Sequence, residues 1–206
     1  KDNVMHDWNN TPTQQYVRSF FMDETEVTNA MYGEYLFWLK KVYGSDKQLR
    51  KIFTAALPDT LVWRNPLGFN EDMVNNYLRH PAFQDYPVVG VTWQQAINYT
   101  KWRTNAVNER ILERERYIEK GTSLNNEEKI PGNEFNTETY LQTPERSYGG
   151  KISEIATESR KRNEDENNLN VAKREKGILL PAYRLPTESE WEYAALGLSE
   201  LREYNN

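Results

Sequence analysis

Hydrophobic positions change period several times along the chain, and each change predicts an element. From Val17 to Val27 (VRSFFMDETEV) alternation places Phe20, Met22, Glu24 and Glu26 on one face and Phe21, Asp23, Thr25 and Val27 on the other. That pattern predicts a strand ending near Glu26. Thr28 then offers a hydroxyl to the free N–H groups of a helix. Tyr32, Tyr35, Leu36, Leu39 and Tyr43 follow at helical spacing before Gly44. Between Ser45 and Tyr86 no period survives Pro58, Pro66, Gly68 and Pro81, so structured loop around exposed aromatics is expected there. The run Val88 to Val91 reads as a short strand. Thr92 with Gln95 three residues later forms a capping box, in which each side chain satisfies the other's backbone N–H. Trp93, Ala96, Tyr99 or Trp102, and Ala106 line the inward face of the helix it opens, which is expected to run, with or without a break, to Gly121. Near the end, ILLPAYRLPTESEWEYAALGL gives an apolar strand, a second capping box at Thr187 and Glu190, and a helix over 187 to 198 that buries Trp191, Ala194, Ala195 and Leu198.

Composition changes this picture in one place. Gly121 to Gly177 is dense in Asn, Glu, Lys, Ser and Thr, a mixture too poor in apolar surface to offset its ordering entropy. It is expected to be a polar variable insertion, with SRKRNEDENN (159–168) as a solvated charge run. Over the whole chain 13 Tyr, 7 Phe and 6 Trp supply a core built on rings, each burying roughly 150–250 Å². A net charge of −5 argues against nucleic acid as a partner, because whole-chain charge would oppose phosphate binding. No apolar run approaches the roughly 18 residues of a membrane-spanning helix. No fixed-period repeat is visible. Cysteine is absent from the 206 residues, so they offer no disulfide, zinc–thiolate site, thiolate nucleophile or iron–sulfur ligand.

Three segments, MDETEVTNAMY (22–32), YPVVGVTWQQAINYTKW (86–102) and YRLPTESEWEYAA (183–195), resemble the formylglycine-generating enzyme and sulfatase-modifying-factor family, in the order that family uses. The resemblance implies an α+β fold related to C-type lectins, with little regular secondary structure. Within that superfamily, VMHDWNNTPTQQYVRSFFMDETEVTNAMYGEYLFWLKKVY (4–43) and DTLVWRNPLGFNEDMVNNYLRHPAF (59–83) are similar to the J-type gliding-motility lipoproteins of Bacteroidota, relatives of the K-type. What this implies is a catalytically inactive structural and interaction protein of the gliding and type IX secretion machinery. It would sit at the periplasmic face of the outer membrane through an N-terminal lipid carried outside the chain, with K- and N-type ring components as partners. The alternatives are a copper-dependent oxidase whose active half lies outside these residues, and a lectin-like binding module. The family's copper-binding cysteines and calcium loops lie after the RLPTE-type motif, so the domain is expected to continue beyond Asn206, and a leader is expected before Lys1.

The residues carry few alternatives to scaffolding. A soft copper site needs thiolates, and the only imidazoles are His6, beside Asp7, and His80, before Pro81; both read as surface or packing residues. Glu24 and Glu26 share a face, as acid–base pairs do, but the reading preferred for them is a structural carboxylate that satisfies loop N–H groups or an Arg. Arg184 with Glu188, Glu190 and Glu192 reads in the same way. No catalytic, cofactor or metal residue is assigned. Glu26, Thr28, Thr92, Gln95, Arg184, Thr187 and Glu190 are expected to be structural, and Trp38 and Trp63 to form a partner surface, since rings are enriched at interface centres. N-x-S/T at Asn9 and Asn98 is discounted, the latter because its helix is expected to be buried. Asp59-Thr60-Leu61 is similar to an O-glycosylation acceptor used in Bacteroidota.

Overall fold

The computed structural model describes residues 15–115, 117–118, 134–143, 172 and 174–196. His6, Asp7, Asn9, Leu198 and the charge run 159–168 lie outside the described residues. The chain divides into two compact units, Thr25–Arg184 and Lys1–Glu24 with Leu185–Asn206.

The larger unit is built on two long helices. Helix α1, Asn29–Tyr43, starts where Thr28 Oγ1 accepts the Met31 N–H at 3.3 Å. Its inner face is Tyr32, Tyr35, Leu39 and Val42, the three-and-four spacing that puts side chains on one stripe. Gly44 closes it in right-handed backbone (φ −71°), so the glycine is not used for a left-handed stop. Helix α4, Trp93–Arg114, opens on the capping box of Thr92 and Gln95 and brings Tyr99 and Trp102 against α1. Tyr32 stacks on Tyr99 with centroids 5.6 Å apart, and Trp102 lies 5.2 Å from Tyr35. Such pairs add roughly 0.5–1.5 kcal/mol each beyond their buried area.

The stretch read as loop from 45 to 86 contains two short helices, α2 (Arg50–Ala56) and α3 (Glu71–Asn76), and 3-10 turns at Thr60–Trp63 and Pro81–Phe83. Their shortness is why no period shows: a single helical turn fits between the prolines. Helix α2 packs on α1, and the Tyr32 hydroxyl donates to the Ala56 carbonyl at 2.8 Å. Gln95 ties α2 to α4. Its Oε1 accepts the Thr92 N–H at 2.7 Å, while its Nε2 donates to the carbonyls of Ala55 at 2.8 Å and Leu57 at 3.0 Å. Gln95→Glu keeps the cap but loses both donors and sets a carboxylate against two carbonyls. A loss of about 2 kcal/mol is expected, read from the urea midpoint.

Neither early strand forms. Val88 N–H donates to the Val27 carbonyl at 2.9 Å and Thr28 bridges Pro87, but Pro87 has no N–H and the ladder goes no further. The described residues are mostly helical, and β pairing among them amounts to isolated bridges. The 178–183 run is likewise no strand; side chains of α4 take up its backbone groups.

Helix α4 stops at Arg114, short of Gly121, because the N–H groups of Tyr117 and Ile118 both fold back onto the Leu112 carbonyl, at 2.8 and 3.4 Å. Within the stretch read as a polar insertion, residues 134–143 pack. Helix α5 (Thr137–Gln142) is capped by Asn136, and Phe135, Tyr140 and Ala172 join Leu112 and Ile118 in a second apolar cluster. The Tyr140 hydroxyl accepts the Ala172 N–H at 3.1 Å. In the smaller unit, α6 (Glu188–Leu196) opens on reciprocal bonds between Thr187 and Glu190, at 2.8 and 3.3 Å, and Tyr193 meets Phe20 edge to face. None of its residues is buried; Trp191, expected inside, is 61% exposed.

Candidate functional site

Thr28, Thr92, Gln95, Thr187 and Glu190 all cap helices. Glu24 and Glu26 are exposed on irregular backbone, so no strand face pairs them. Arg184 is exposed at the end of the larger unit, and Glu188, Glu190 and Glu192 belong to the smaller. Trp38 and Trp63, expected at a partner surface, are half-buried in ring networks: Trp38 lies 6.3 Å from Trp102 and Trp63 4.6 Å from Tyr77. Trp93, expected inside, is 68% exposed, and Asn98 is exposed too. The contact between the start of α4 and α2 is made by Gln95, two residues on. Thr60 is half-buried in its turn, next to the capping carboxylate of Asp59.

The most exposed large apolar side chains of the larger unit stand on one loop. Asn65 Oδ1 accepts the Leu67 N–H at 2.9 Å and the Asn65 carbonyl accepts the Gly68 N–H at 3.1 Å, which closes a tight turn after Pro66. At the loop's base Arg64 grips Glu71 bidentately, Nε to Oε1 at 2.9 Å and Nη2 to Oε2 at 3.3 Å. The guanidinium holds the Glu71 carboxyl below the usual carboxylate range. Leu67 and Phe69 are left 97% and 84% exposed. The hollow beside them measures about 260 Å³, under the roughly 300–1,000 Å³ of ligand pockets.

Two polar features of the interior were not anticipated. Asn29 is buried, its N–H donates to the Tyr86 carbonyl at 2.8 Å, and its Nδ2 donates to the carbonyls of Tyr77 (3.1 Å) and Phe83 (2.9 Å), fixing residues 77–86 on the start of α1. Along α4, Thr104, Asn105 and Asn108 form a polar row. Asn108 Oδ1 accepts the Leu180 N–H at 2.9 Å and its Nδ2 donates to the Leu180 carbonyl at 3.1 Å. Thr104 Oγ1 accepts the Tyr183 N–H at 2.9 Å, and Asn105 Oδ1 the Thr137 N–H at 3.0 Å. Arg103 adds a cation–π contact, 4.3 Å from the Tyr183 ring. The spacing 104, 105, 108 on a helix flanked by apolar positions was the available signal.

Among the described residues no group of three or more His, Asp or Glu is placed to hold a metal ion. The residues present do not fit copper: thiolates are absent from the sequence, and His80 Nδ1 accepts the Ala82 N–H at 3.2 Å as a turn cap. Burial raises the phenols of Tyr32, Tyr35, Tyr43, Tyr77 and Tyr140 above their ordinary value, and Tyr43 is raised further by donating to Glu134 Oε1 at 2.5 Å. A raised folded-state value means that the native chain keeps protons the unfolded chain releases. Their stabilisation is therefore complete below about pH 10 and lost as pH rises beyond it. The melting temperature should be level with respect to tyrosine ionisation up to that point and fall above it; a rise above pH 10 would contradict this.

The family model described as Sulfatase-modifying factor enzyme 1-like domain matches residues 2–206. No curated protein and no solved structure matches the chain.

Proposed function

The chain belongs to the sulfatase-modifying factor enzyme 1-like family, and from that premise we propose that it is a docking scaffold without oxidase activity. That family holds both modifying enzymes and non-catalytic members. The observation that carries the reading is the clamped loop 64–71. Holding Leu67 and Phe69 in water on a rigid turn is unfavourable until they are buried against another surface, and preorganised apolar anchors are what interface centres use. The 206 residues also contain no thiol for cysteine-based redox chemistry.

The finer assignment follows from the likeness of residues 4–43 and 59–83 to the J-type gliding lipoproteins. The scaffold works in the gliding-motility and type IX secretion machinery, lipid-anchored at the periplasmic face of the outer membrane, where it holds K- and N-type ring components. Native affinity purification tests this. The wild-type protein should bring down the ring components, and the double change Leu67→Ser with Phe69→Ser should reduce their recovery at least tenfold while leaving the melting temperature within a few degrees. Unchanged recovery would remove the loop from the interface. Formylglycine formed on a cysteine-containing sulfatase peptide by the copper-supplied full-length protein would replace the scaffold reading with the oxidase one.

A further inference from the structure

Charge is unevenly spread over this acidic chain. Lys40, Lys41, Lys47, Arg50 and Lys51 stand within twelve positions against Asp46 alone, although acidic residues outnumber basic ones 31 to 26 overall. The fold gathers them. Lys40 and Lys41 are in the last turn of α1, Arg50 and Lys51 in the first turn of α2, and the two helices pack together, so all lie at the closed end of one helical hairpin. The connecting turn is ordered: the Arg50 N–H donates to the Asp46 carbonyl at 2.8 Å, and Asp46 Oδ1 accepts the Gln48 and Leu49 N–H groups at 2.7 and 3.3 Å. The one carboxylate of the turn is thereby drawn onto backbone, and Lys47 is held outward beside it. Lys40, Lys47, Arg50 and Lys51 are exposed; Lys41 already interacts within the chain. Among the described residues Glu134 accepts the Tyr43 hydroxyl, and Glu34 stands about two turns back on α1. Phe37, three and four positions before Lys40 and Lys41 and so on their side of α1, is 66% exposed.

We infer that this hairpin end is a peripheral binding surface for a bilayer carrying anionic phospholipid headgroups. A lone ring flanked by long basic side chains is the composition of interfacial anchors: the ring enters at headgroup depth and the lysine stems lie along it with their ammonium groups on the phosphates. Because salt screens charges beyond roughly 8 Å, the acidic remainder of the chain does not cancel the attraction once the hairpin end faces the surface. The net negative charge instead orients the molecule with this end towards the membrane. The inference stands on residues remote in sequence from loop 64–71 and does not depend on the function proposed above.

Vesicle flotation of the full-length protein, produced without lipid modification, tests it. Binding to phosphatidylcholine vesicles containing phosphatidylglycerol should be clear at physiological ionic strength, should weaken as salt is raised further, and should be at least tenfold weaker on phosphatidylcholine alone. Replacing Lys40, Lys47, Arg50 and Lys51 together by Gln should reduce partitioning by roughly 1,000-fold, Phe37→Ser should reduce it several-fold, and Lys101→Gln, an exposed lysine on α4, should leave it unchanged. Melting temperatures of all variants should match the wild type, since each altered side chain is exposed. Inorganic phosphate should compete no better than chloride at equal ionic strength. Absence of binding to anionic vesicles, equal binding to both vesicle types, or equal losses from the fourfold and Lys101 variants would each overturn the inference; an acidic protein as the true partner would give the first.

Discussion

Asn108→Leu is expected to destabilise the larger unit by about 3 kcal/mol although leucine keeps the branched outline of asparagine, with the same number of side-chain heavy atoms. The side chain is fully buried and pairs with both backbone groups of Leu180, accepting from its N–H at 2.9 Å and donating to its carbonyl at 3.1 Å, with a weaker contact to Thr137 Oγ1 at 3.4 Å. Leucine removes every partner at once, and each polar group left unpaired costs roughly 1–3 kcal/mol. Leu180 is partly exposed, so water recovers some of the loss at its two backbone groups, which sets the figure towards the low end of the roughly 2–6 kcal/mol for the pair. Asn108→Asp should be at least as damaging: it keeps the acceptor for the Leu180 N–H but brings a carboxylate against the Leu180 carbonyl in a buried position. Denaturant titration gives the magnitude. Hydrogen exchange gives the mechanism, since the Leu180 amide should lose protection in both variants while the Gln95 amide keeps it. If both variants unfolded at the wild-type midpoint, the polar row would be decoration and the docking of 178–183 would have to rest on Ile178 and Leu179.

Gly90→Ala is the second large effect, about 3 kcal/mol or more, and a matched control separates its two causes. Gly90 sits at φ +80°, where an L side chain costs roughly 1–2 kcal/mol. A methyl built there would also stand 2.1 Å from the Asp59 carbonyl oxygen and 2.9 Å from its carbon. Those atoms are backbone, and Asp59 N–H donates to the Gly90 carbonyl at 2.8 Å, so the neighbour cannot step aside without breaking the bond that joins the 57–63 segment to the approach of α4. Gly177 has φ +62° and nothing within 4 Å of the corresponding position. Gly177→Ala should therefore show the conformational cost alone, about 1 kcal/mol, and the difference between the two urea midpoints measures the clash. Equal losses at both glycines would mean that the Asp59 contact yields freely.

What was legible in the sequence was local. The Thr28 cap and the two capping boxes were readable because an N-cap hydroxyl acts within four residues, and a pattern that short survives in the text. The inner stripe of α1 was readable for the same reason. Strands were not, because alternation describes one chain while a strand needs two; the run 17–27 alternates, yet its only pairing near Val27 meets Pro87 and ends there. Composition misled over 134–143, where averaging across Gly121 to Gly177 hid Phe135 and Tyr140, two rings placed one helical cap apart that enter the second apolar cluster. Helical spacing misled at Trp93 and Trp191, since a stripe says which residues share a side of a helix and nothing about whether a neighbour covers it. The loop at 64–71 was half legible: Asn-Pro-Leu-Gly announces a turn, but the Arg64–Glu71 pair that closes its base spans seven positions with no period to reveal it.

The pairing of Asn108 with Leu180 also has a consequence for how the protein is made. The two partners are 72 positions apart, so on a ribosome adding roughly 5–20 residues per second the helix bearing Asn108 waits about 4–14 s before its counterpart is even synthesised. During that interval a buried amide of the finished molecule faces the exit-tunnel mouth without its mate, next to unburied rings. Nascent chains stalled shortly before Leu180 should therefore be held by chaperones and cleaved readily at α4, and those stalled well after Tyr183 should be released and resistant.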